Sequence, residues 1–320
     1  MVGGPSTAPP RLAFLFPGQG SQAVGMGKAF FETSAPARRV FEEADDALQF
    51  PLSRLIFDGP ETDLALTANT QPAVMTVSVA AAAACAERGL QPSFAAGHSL
   101  GEYSALVVAG ALRFADAVRI VRKRGQFMQE AVPVGTGAMA AVLGLDVDAV
   151  KAVCADAAKG EVVEIANVNS PGQTVIAGHR GAVERAVALA AERGGRKSVL
   201  LPVSAPFHCS LMAPARERLA RELDAVAVES PRVPVVRNVD GGVTRTATEV
   251  TPFLLRQVAS PVQWTECVRR LAAEGVTDFV EVGPGRVLTA LVRRIVDGAR
   301  AVSVEDPPGL EKALATPRSA

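Results

Sequence analysis

Gly97-His98-Ser99-Leu100-Gly101 follows the short apolar run Pro92-Ser93-Phe94-Ala95-Ala96 and precedes Glu102-Tyr103-Ser104-Ala105-Leu106-Val107-Val108-Ala109, which has helical composition and stops at Gly110. A Gly-x-Ser-x-Gly between a strand and a helix forms a sharp turn that presents the serine hydroxyl. Its glycines are required because a side chain on either flank would crowd the turn or the helix behind it. Alone, the pentapeptide leaves two readings open, a nucleophile for acyl chemistry and a buried turn serine.

Apolar runs and helical segments alternate outward from the turn. Residues 12–16 read as a strand, 30–48 as mostly helix, 73–88 as a helix and 93–97 as a strand, the succession of a parallel sheet covered by helices. A helix over 115–130 follows, and Pro133, Gly135 and Gly137 mark a boundary. The order then changes to strand 138–143, helix 147–158, strands 162–166 and 174–177, helix 182–193 and strand 197–203. That β-α-β-β-α-β order is a ferredoxin-like unit. The expected fold is therefore α/β in two parts, a large parallel-sheet subdomain over 1–133 and 205–320 and a small ferredoxin-like subdomain inserted at 134–204. The large part resumes with helix 214–223, strand 233–238, helix 262–274, strand 278–282 and helix 286–295. Residues 1–10 read as a floppy leader, and 306–320, with Pro307, Pro308 and Pro317, as a poorly ordered end.

Composition narrows the function classes. The 320 residues are 48% hydrophobic and 21% charged, as in a soluble globular protein. Lys plus Arg equals Asp plus Glu at 33 each, so no net field draws the chain to nucleic acid or an anionic membrane. The longest apolar stretch, 73–86, falls short of the ~20 residues that span a bilayer. Cys85, Cys154, Cys209 and Cys267 form no Cys-x-x-Cys pair, which argues against a disulfide framework or a zinc site. A cytoplasmic monomer without metal or cofactor is expected.

A serine hydroxyl needs a base within hydrogen-bond reach. Three histidines are available. His98 neighbours Ser99, and adjacent side chains at such a turn diverge, so it packs beside the site. His179 reads as a surface loop residue. His208 remains, in Ser204-Ala205-Pro206-Phe207-His208-Cys209, where the chain re-enters the large subdomain. The carboxylates considered as a third member, Asp116, Asp146, Asp148 and Glu164, lie in helices, at strand ends or in small-subdomain loops, and none follows a large-subdomain strand. A Ser-His dyad oriented by another polar group is expected.

On the helix over 115–130, about 100° per residue places Ala117, Val121, Arg124 and Met128 in one stripe flanked by Ile120 and Phe127, while Arg119, Arg122 and Lys123 point elsewhere. Arg124 therefore points inward. An inward guanidinium needs an anion, and both a protein carboxylate and a substrate carboxylate satisfy that need. The loop Pro17-Gly18-Gln19-Gly20-Ser21-Gln22 fails the Walker A pattern, because Gly27-Lys28 is followed by Ala29. Gly18-x-Gly20-x-x-Ala23 and Gly135-x-Gly137-x-x-Ala140 match the dinucleotide pattern only loosely. For acyl chemistry the first loop offers close backbone approach and an amide donor for an oxyanion.

These residues resemble the malonyl-CoA:acyl carrier protein transacylases of bacterial fatty acid synthesis and the related acyltransferase domains of polyketide synthases. The landmarks are Phe16-Pro17-Gly18-Gln19-Gly20-Ser21-Gln22, Gly97-His98-Ser99-Leu100-Gly101-Glu102-Tyr103, Arg124-Gly125-Gln126-Phe127-Met128-Gln129, Asn167-Val168-Asn169-Ser170-Pro171-Gly172-Gln173, Pro206-Phe207-His208, Pro261-Val262-Gln263-Trp264 and Glu281-Val282-Gly283-Pro284-Gly285, in order over 11–295. The resemblance implies a hydrolase-like large subdomain with a ferredoxin-like small one. It also implies Ser99 as the acylated nucleophile, His208 as its base, the Gln257 carbonyl orienting the imidazole, and the Gln19 and Leu100 amides as oxyanion hole. Arg124 would hold the malonyl carboxylate, with Phe207, His98 and Met128 shaping the pocket and Phe207 disfavouring an α-methyl branch. Malonyl-CoA is the implied donor and acyl carrier protein the acceptor, in fatty acid or polyketide synthesis. An acidic carrier calls for a basic surface, with Arg193, Arg196 and Lys197, or Arg122 and Lys123, as candidates. A serine esterase or thioesterase and a non-catalytic binding module are the rival classes; the missing triad carboxylate and the inward Arg124 tell against the first.

Overall fold

Leu12-Ala13-Phe14-Leu15-Phe16 is apolar without alternation, which suits a strand covered on both faces, and all five side chains are buried. The computed structural model describes residues 11–203 and 205–315; the leader at 1–10, Ser204 and the last residues, 316–320, lie outside them. Among the described residues the strands are β1 (Arg11–Phe16), β2 (Phe94–Gly97), β3 (Gly137–Leu143), β4 (Val163–Ser170), β5 (Gln173–His179), β6 (Lys197–Leu200), β7 (Val235–Val236), β8 (Val243–Thr244), β9 (Val276–Val282) and β10 (Arg300–Val304).

The larger sheet has the order β10-β9-β1-β2-β7-β8, parallel except where β8 turns back on β7. Its centre is β1 with β2, so the turn at 97–101 opens at the carboxyl ends of adjacent parallel strands, where such sheets place ligands. The helix Thr67–Glu87 is buried over most of its surface, as expected of a helix apolar all round. The smaller sheet, β4-β5-β3-β6, is antiparallel. One face packs its own helices, Val147–Ala158 and Arg180–Glu192, through Ala138, Ala140, Val142 and Ile176. Met139, Val175 and Ala177 on the other face join the main core. The edge of β4 is tied to the large part, since Val168 N–H donates to Val262 O and Val262 N–H to Ala166 O, each at 2.9 Å.

Several sequence expectations shift. The helix over 30–48 is two helices, Lys28–Thr33 and Ala35–Leu48, because Ser34 leaves helical geometry and caps the second, accepting from Ala37 N–H, with Pro36 in its first turn. The strand over 233–238 is only Val235–Val236: the next amides turn to Gly242 O, from Arg237, and to the Glu102 carboxyl, from Asn238. The helix expected from residue 73 begins at Thr67 and runs through Pro72. The poorly ordered end is overturned over Pro307–Ala315, a helix whose paired prolines open it and whose Leu310 and Ala313 are buried.

Candidate active site

Backbone crowding builds the turn. Ser99 has φ 53° and ψ −105°, between β2 and the helix Leu100–Val108. A Cβ on Gly97 would stand 1.8 Å from Gly101 C, and one on Gly101 would stand 2.0 Å from Phe16 O. Glycine at both positions is thus enforced by neighbouring backbone. Asn238, just beyond β7, braces the turn: its Oδ1 accepts from Ser99 N–H and its Nδ2 donates to Gly97 O, both at 2.7 Å.

His208 is buried at φ 61°. Its Nε2 lies 2.6 Å from Ser99 Oγ and its Nδ1 2.9 Å from the carbonyl of Gln257. A carbonyl only accepts, so the proton belongs on Nδ1 and the Nε2 lone pair faces the serine. Burial, reinforced by the nearby Arg124 charge, pulls the imidazole from the ordinary histidine value down to about 3. It is neutral in the resting site. Asp116, Asp146, Asp148 and Glu164 are occupied elsewhere, Asp116 with Arg113 and Arg119, Asp146 as a helix cap, Asp148 with Lys151, and Glu164 with Ser210. A further carboxylate sits on a large-sheet strand. Glu281 in β9 is spent on Leu288 and Thr289 at the start of the helix Val287–Ile295.

Arg124 is 1% exposed. Nη1 donates to Gln71 Oε1 at 2.7 Å, and Nη2 to Gln257 Oε1 at 3.0 Å and Ser99 Oγ at 3.2 Å. Its Nε has no partner among the described residues. The guanidinium also faces the Tyr103 ring, 5.4 Å from the centroid. Neighbouring Gly125 is needed because a Cβ there would meet Thr67 O at 2.6 Å, so the two helices touch here. No Asp or Glu among the described residues pairs directly with Arg124, leaving a buried cation held only by neutral acceptors. Such a site favours an incoming anion.

The backbone N–H groups of Gln19 and Leu100 carry no hydrogen bond among the described residues. Leu100 opens the helix behind Ser99, where unpaired amides and the helix dipole favour negative charge. Ser99, His208, Arg124, Gln19, Leu100, His98, Met128 and Phe207 all line one cleft of about 580 Å³, closed by Met139, Leu201 and Val203. Gln257 stands just behind it.

A family model described as "Acyl transferase domain" matches residues 13–311. Malonyl CoA-acyl carrier protein transacylases of Bacillus subtilis (strain 168) and Escherichia coli (strain K12) are each 49% identical, over 96% and 95% of this chain and 97% and 99% of those proteins. The chain belongs to the acyl transferase family. The solved acyl carrier protein S-malonyltransferase of Vibrio cholerae is 48% identical with TM-score 0.92, covering 94% of this chain and 99% of that one. A type II polyketide synthase malonyl-transacylase solved with its acyl carrier protein is 44% identical with TM-score 0.93, covering 96% and 100%.

In this acyltransferase His98 stands aside from the hydrogen-bonded pair Ser99 and His208, its Nε2 2.8 Å from Asn169 Oδ1 and its ring against Trp264. His179 is not a loop residue; it closes β5, and its Nδ1 accepts from Val162 N–H. The sequence assigns no role to Gln71, Glu102 or Asn238, although Glu102 stands within a landmark stretch. Gln71 precedes the expected start of its helix at 73, Glu102 lies on a helix read for its apolar residues, and Asn238 needs β7 to lie beside β2. Asn238's signal is its place beyond the carboxyl end of a parallel strand. Of the basic candidates, Arg193 pairs with Asp156, Lys123 with Glu222, and Arg122 stacks on Phe50. Arg196 and Lys197 are exposed, without a side-chain partner among the described residues. No described helix is long and apolar enough to cross a membrane, and no group of three or more His, Cys, Asp or Glu residues is gathered there to hold a metal.

Proposed function

We propose that the protein transfers a malonyl group from malonyl-CoA to the phosphopantetheine thiol of acyl carrier protein through an ester on Ser99. The observation that carries this reading is the Arg124 guanidinium, buried without a carboxylate partner and 3.2 Å from Ser99 Oγ. One methylene separates the malonyl carboxylate from its thioester carbonyl, so a carboxylate on Arg124 brings that carbonyl to the serine. A planar guanidinium suits the carboxylate bidentately.

Ser99 Oγ attacks the thioester carbon as its proton moves to His208 Nε2, while the Gln257 carbonyl holds Nδ1–H. The tetrahedral oxyanion faces the amides of Gln19 and Leu100. The C–S bond breaks, the leaving thiolate takes the proton from Nε2, and CoA departs. The carrier thiol then gives its proton to Nε2, attacks the ester and restores Ser99. No atom changes oxidation state, and no cofactor is proposed.

The pantetheine arms are assigned to the adjoining cleft of about 720 Å³, which shares Gln19, His98, Asn167 and Leu201 with the first and continues to Asn169, Gln173 and Leu291. Arg196 and Lys197 are the proposed contacts for an acidic carrier. Intact-mass measurement tests the reading. Wild-type protein mixed with malonyl-CoA should gain one malonyl group, Ser99→Ala none, and holo-carrier should discharge the adduct faster than water. Rapid hydrolysis without carrier would make the protein a thioesterase, and no adduct would end the proposal.

A further inference from the structure

We propose that Glu102 is a positioning residue for the transfer, acting through the Gln257 side chain on Arg124 and on the segment that orients His208. The inference rests on the roles just proposed for Ser99, His208 and Arg124.

Glu102 is buried on the helix behind Ser99 and touches none of the reacting atoms. Its Oε2 accepts from Gln257 Nε2 at 2.8 Å and from Asn238 N–H at 3.0 Å. Each acceptance reaches a different part of the site. Asn238 braces the serine turn through Ser99 N–H and Gly97 O. Gln257 has its second Nε2 proton on Ser99 O at 2.9 Å, its Oε1 on Arg124, and its main-chain carbonyl on His208.

An amide can be flipped, and the two arrangements are not equivalent here. With Nε2 toward Glu102 and Ser99 O, both N–H groups meet acceptors and Oε1 meets a donor. Reversed, Oε1 would face two acceptors and Nε2 would face the guanidinium, an arrangement with no satisfied bond. Glu102 therefore helps decide which way Gln257 points, and hence whether Arg124 is held over Ser99 or released from it.

The charged and titratable groups around Glu102 come from several elements: Arg124 from the helix Phe114–Glu130, Arg237 from the turn after β7, Cys267 from the helix Trp264–Ala273, and Tyr103 beside it. Burial raises the Glu102 carboxyl to about 7, against the pull of Asn238 N–H, the Gln257 amide and the two arginines. Its neutral form leaves the Arg124 charge to a substrate anion, whereas its ionised form, above neutrality, opposes that anion.

The experiment compares Glu102→Ala, Glu102→Gln, Gln257→Ala and the Glu102→Ala/Gln257→Ala double variant, with kcat and KM for malonyl-CoA and acetyl-CoA across neutral pH. Gln257→Ala retains the main-chain carbonyl, and Glu102→Gln keeps one oxygen for both donors. Glu102→Ala should lower kcat/KM for malonyl-CoA roughly 10- to 100-fold, with the double variant no worse than the poorer single one. Glu102→Gln should stay within about threefold of wild type below neutrality. Wild-type KM for malonyl-CoA should rise as pH passes neutrality while that for acetyl-CoA stays level, and Glu102→Gln should abolish the rise.

Additive losses in the double variant, or a Glu102→Gln protein that keeps the wild-type pH dependence, would overturn the assignment. The second readout stands even if Glu102→Ala does not fold. A wild-type protein that forms no malonyl adduct would sink the transfer reading itself, so the two failures are distinguishable.

Discussion

The two walls of the cleft are built by different means. The wall carrying Ser99 is backbone against backbone: Gly18, Gly97 and Gly101 would each drive a Cβ to within 2.5 Å of a main-chain atom, and Asn238 pins the turn from behind. The facing wall is a set of apolar side chains, Met139, Leu201, Val203 and Phe207, from the small sheet and the segment that returns from it. Main-chain geometry cannot be adjusted one atom at a time, whereas an apolar side chain can be exchanged for a larger or smaller one. Under the proposed function the first wall carries the nucleophile and the second the acyl fit, and the second wall's returning segment also brings His208 to Ser99, with Arg124 between the walls.

The contrast is most severely tested at Gly101. Gly101→Ala should cost more than about 3 kcal/mol of stability and lower Tm by roughly 5–10 °C, with malonyl loading of Ser99 reduced at least about 100-fold. Calorimetry and intact mass measure both; near-normal stability and loading would mean that the turn is not set by crowding. Arg124→Ala comes next. It should reduce kcat/KM for malonyl-CoA by roughly 100- to 1000-fold while sparing acetyl-CoA, and equal losses for the two donors would contradict its place between the walls. Phe207→Ala should have the smallest effect, leaving loading intact and raising the preference for methylmalonyl-CoA over malonyl-CoA by about tenfold. An unchanged ratio would remove Phe207 as the ring that limits an α-branch.

Much of this was legible because local rules and the fold agree. The unbroken apolar run of β1, the Gly-x-Ser-x-Gly after β2 and the strand–helix order of the small sheet each follow from residues close in the chain. Arg124 was placed by helical spacing alone, and its 1% exposure follows from that stripe. The choice between a protein and a substrate carboxylate was not legible, since it depends on every side chain facing the helix. Gln71, Glu102 and Asn238 escaped for the same reason: a polar residue in an apolar stretch gains its meaning from partners between 53 and 155 positions away. The helix Ala247–Val258, which carries Gln257, was missed for a lesser reason. Thr246-Ala247-Thr248-Glu249 carries the capping-box pattern, and Glu249 Oε2 accepts from Thr246 N–H at 3.1 Å. Pro307 and Pro308 suggest a disordered end by composition, yet proline suits a helix's opening turn and here opens one.

Of the four non-glycine residues with positive φ among those described, Gln49 and Lys159 close helices, and the other two are Ser99 and His208. Each such backbone costs roughly 1–3 kcal/mol, a cost glycine largely escapes. The hydroxyl and the imidazole thus meet because the chain is held, at both ends of one hydrogen bond, in a conformation their residue types disfavour. Glycine at either position would ease the backbone but take away the hydroxyl or the buried imidazole, so the disfavoured conformation stays wherever the pair is kept.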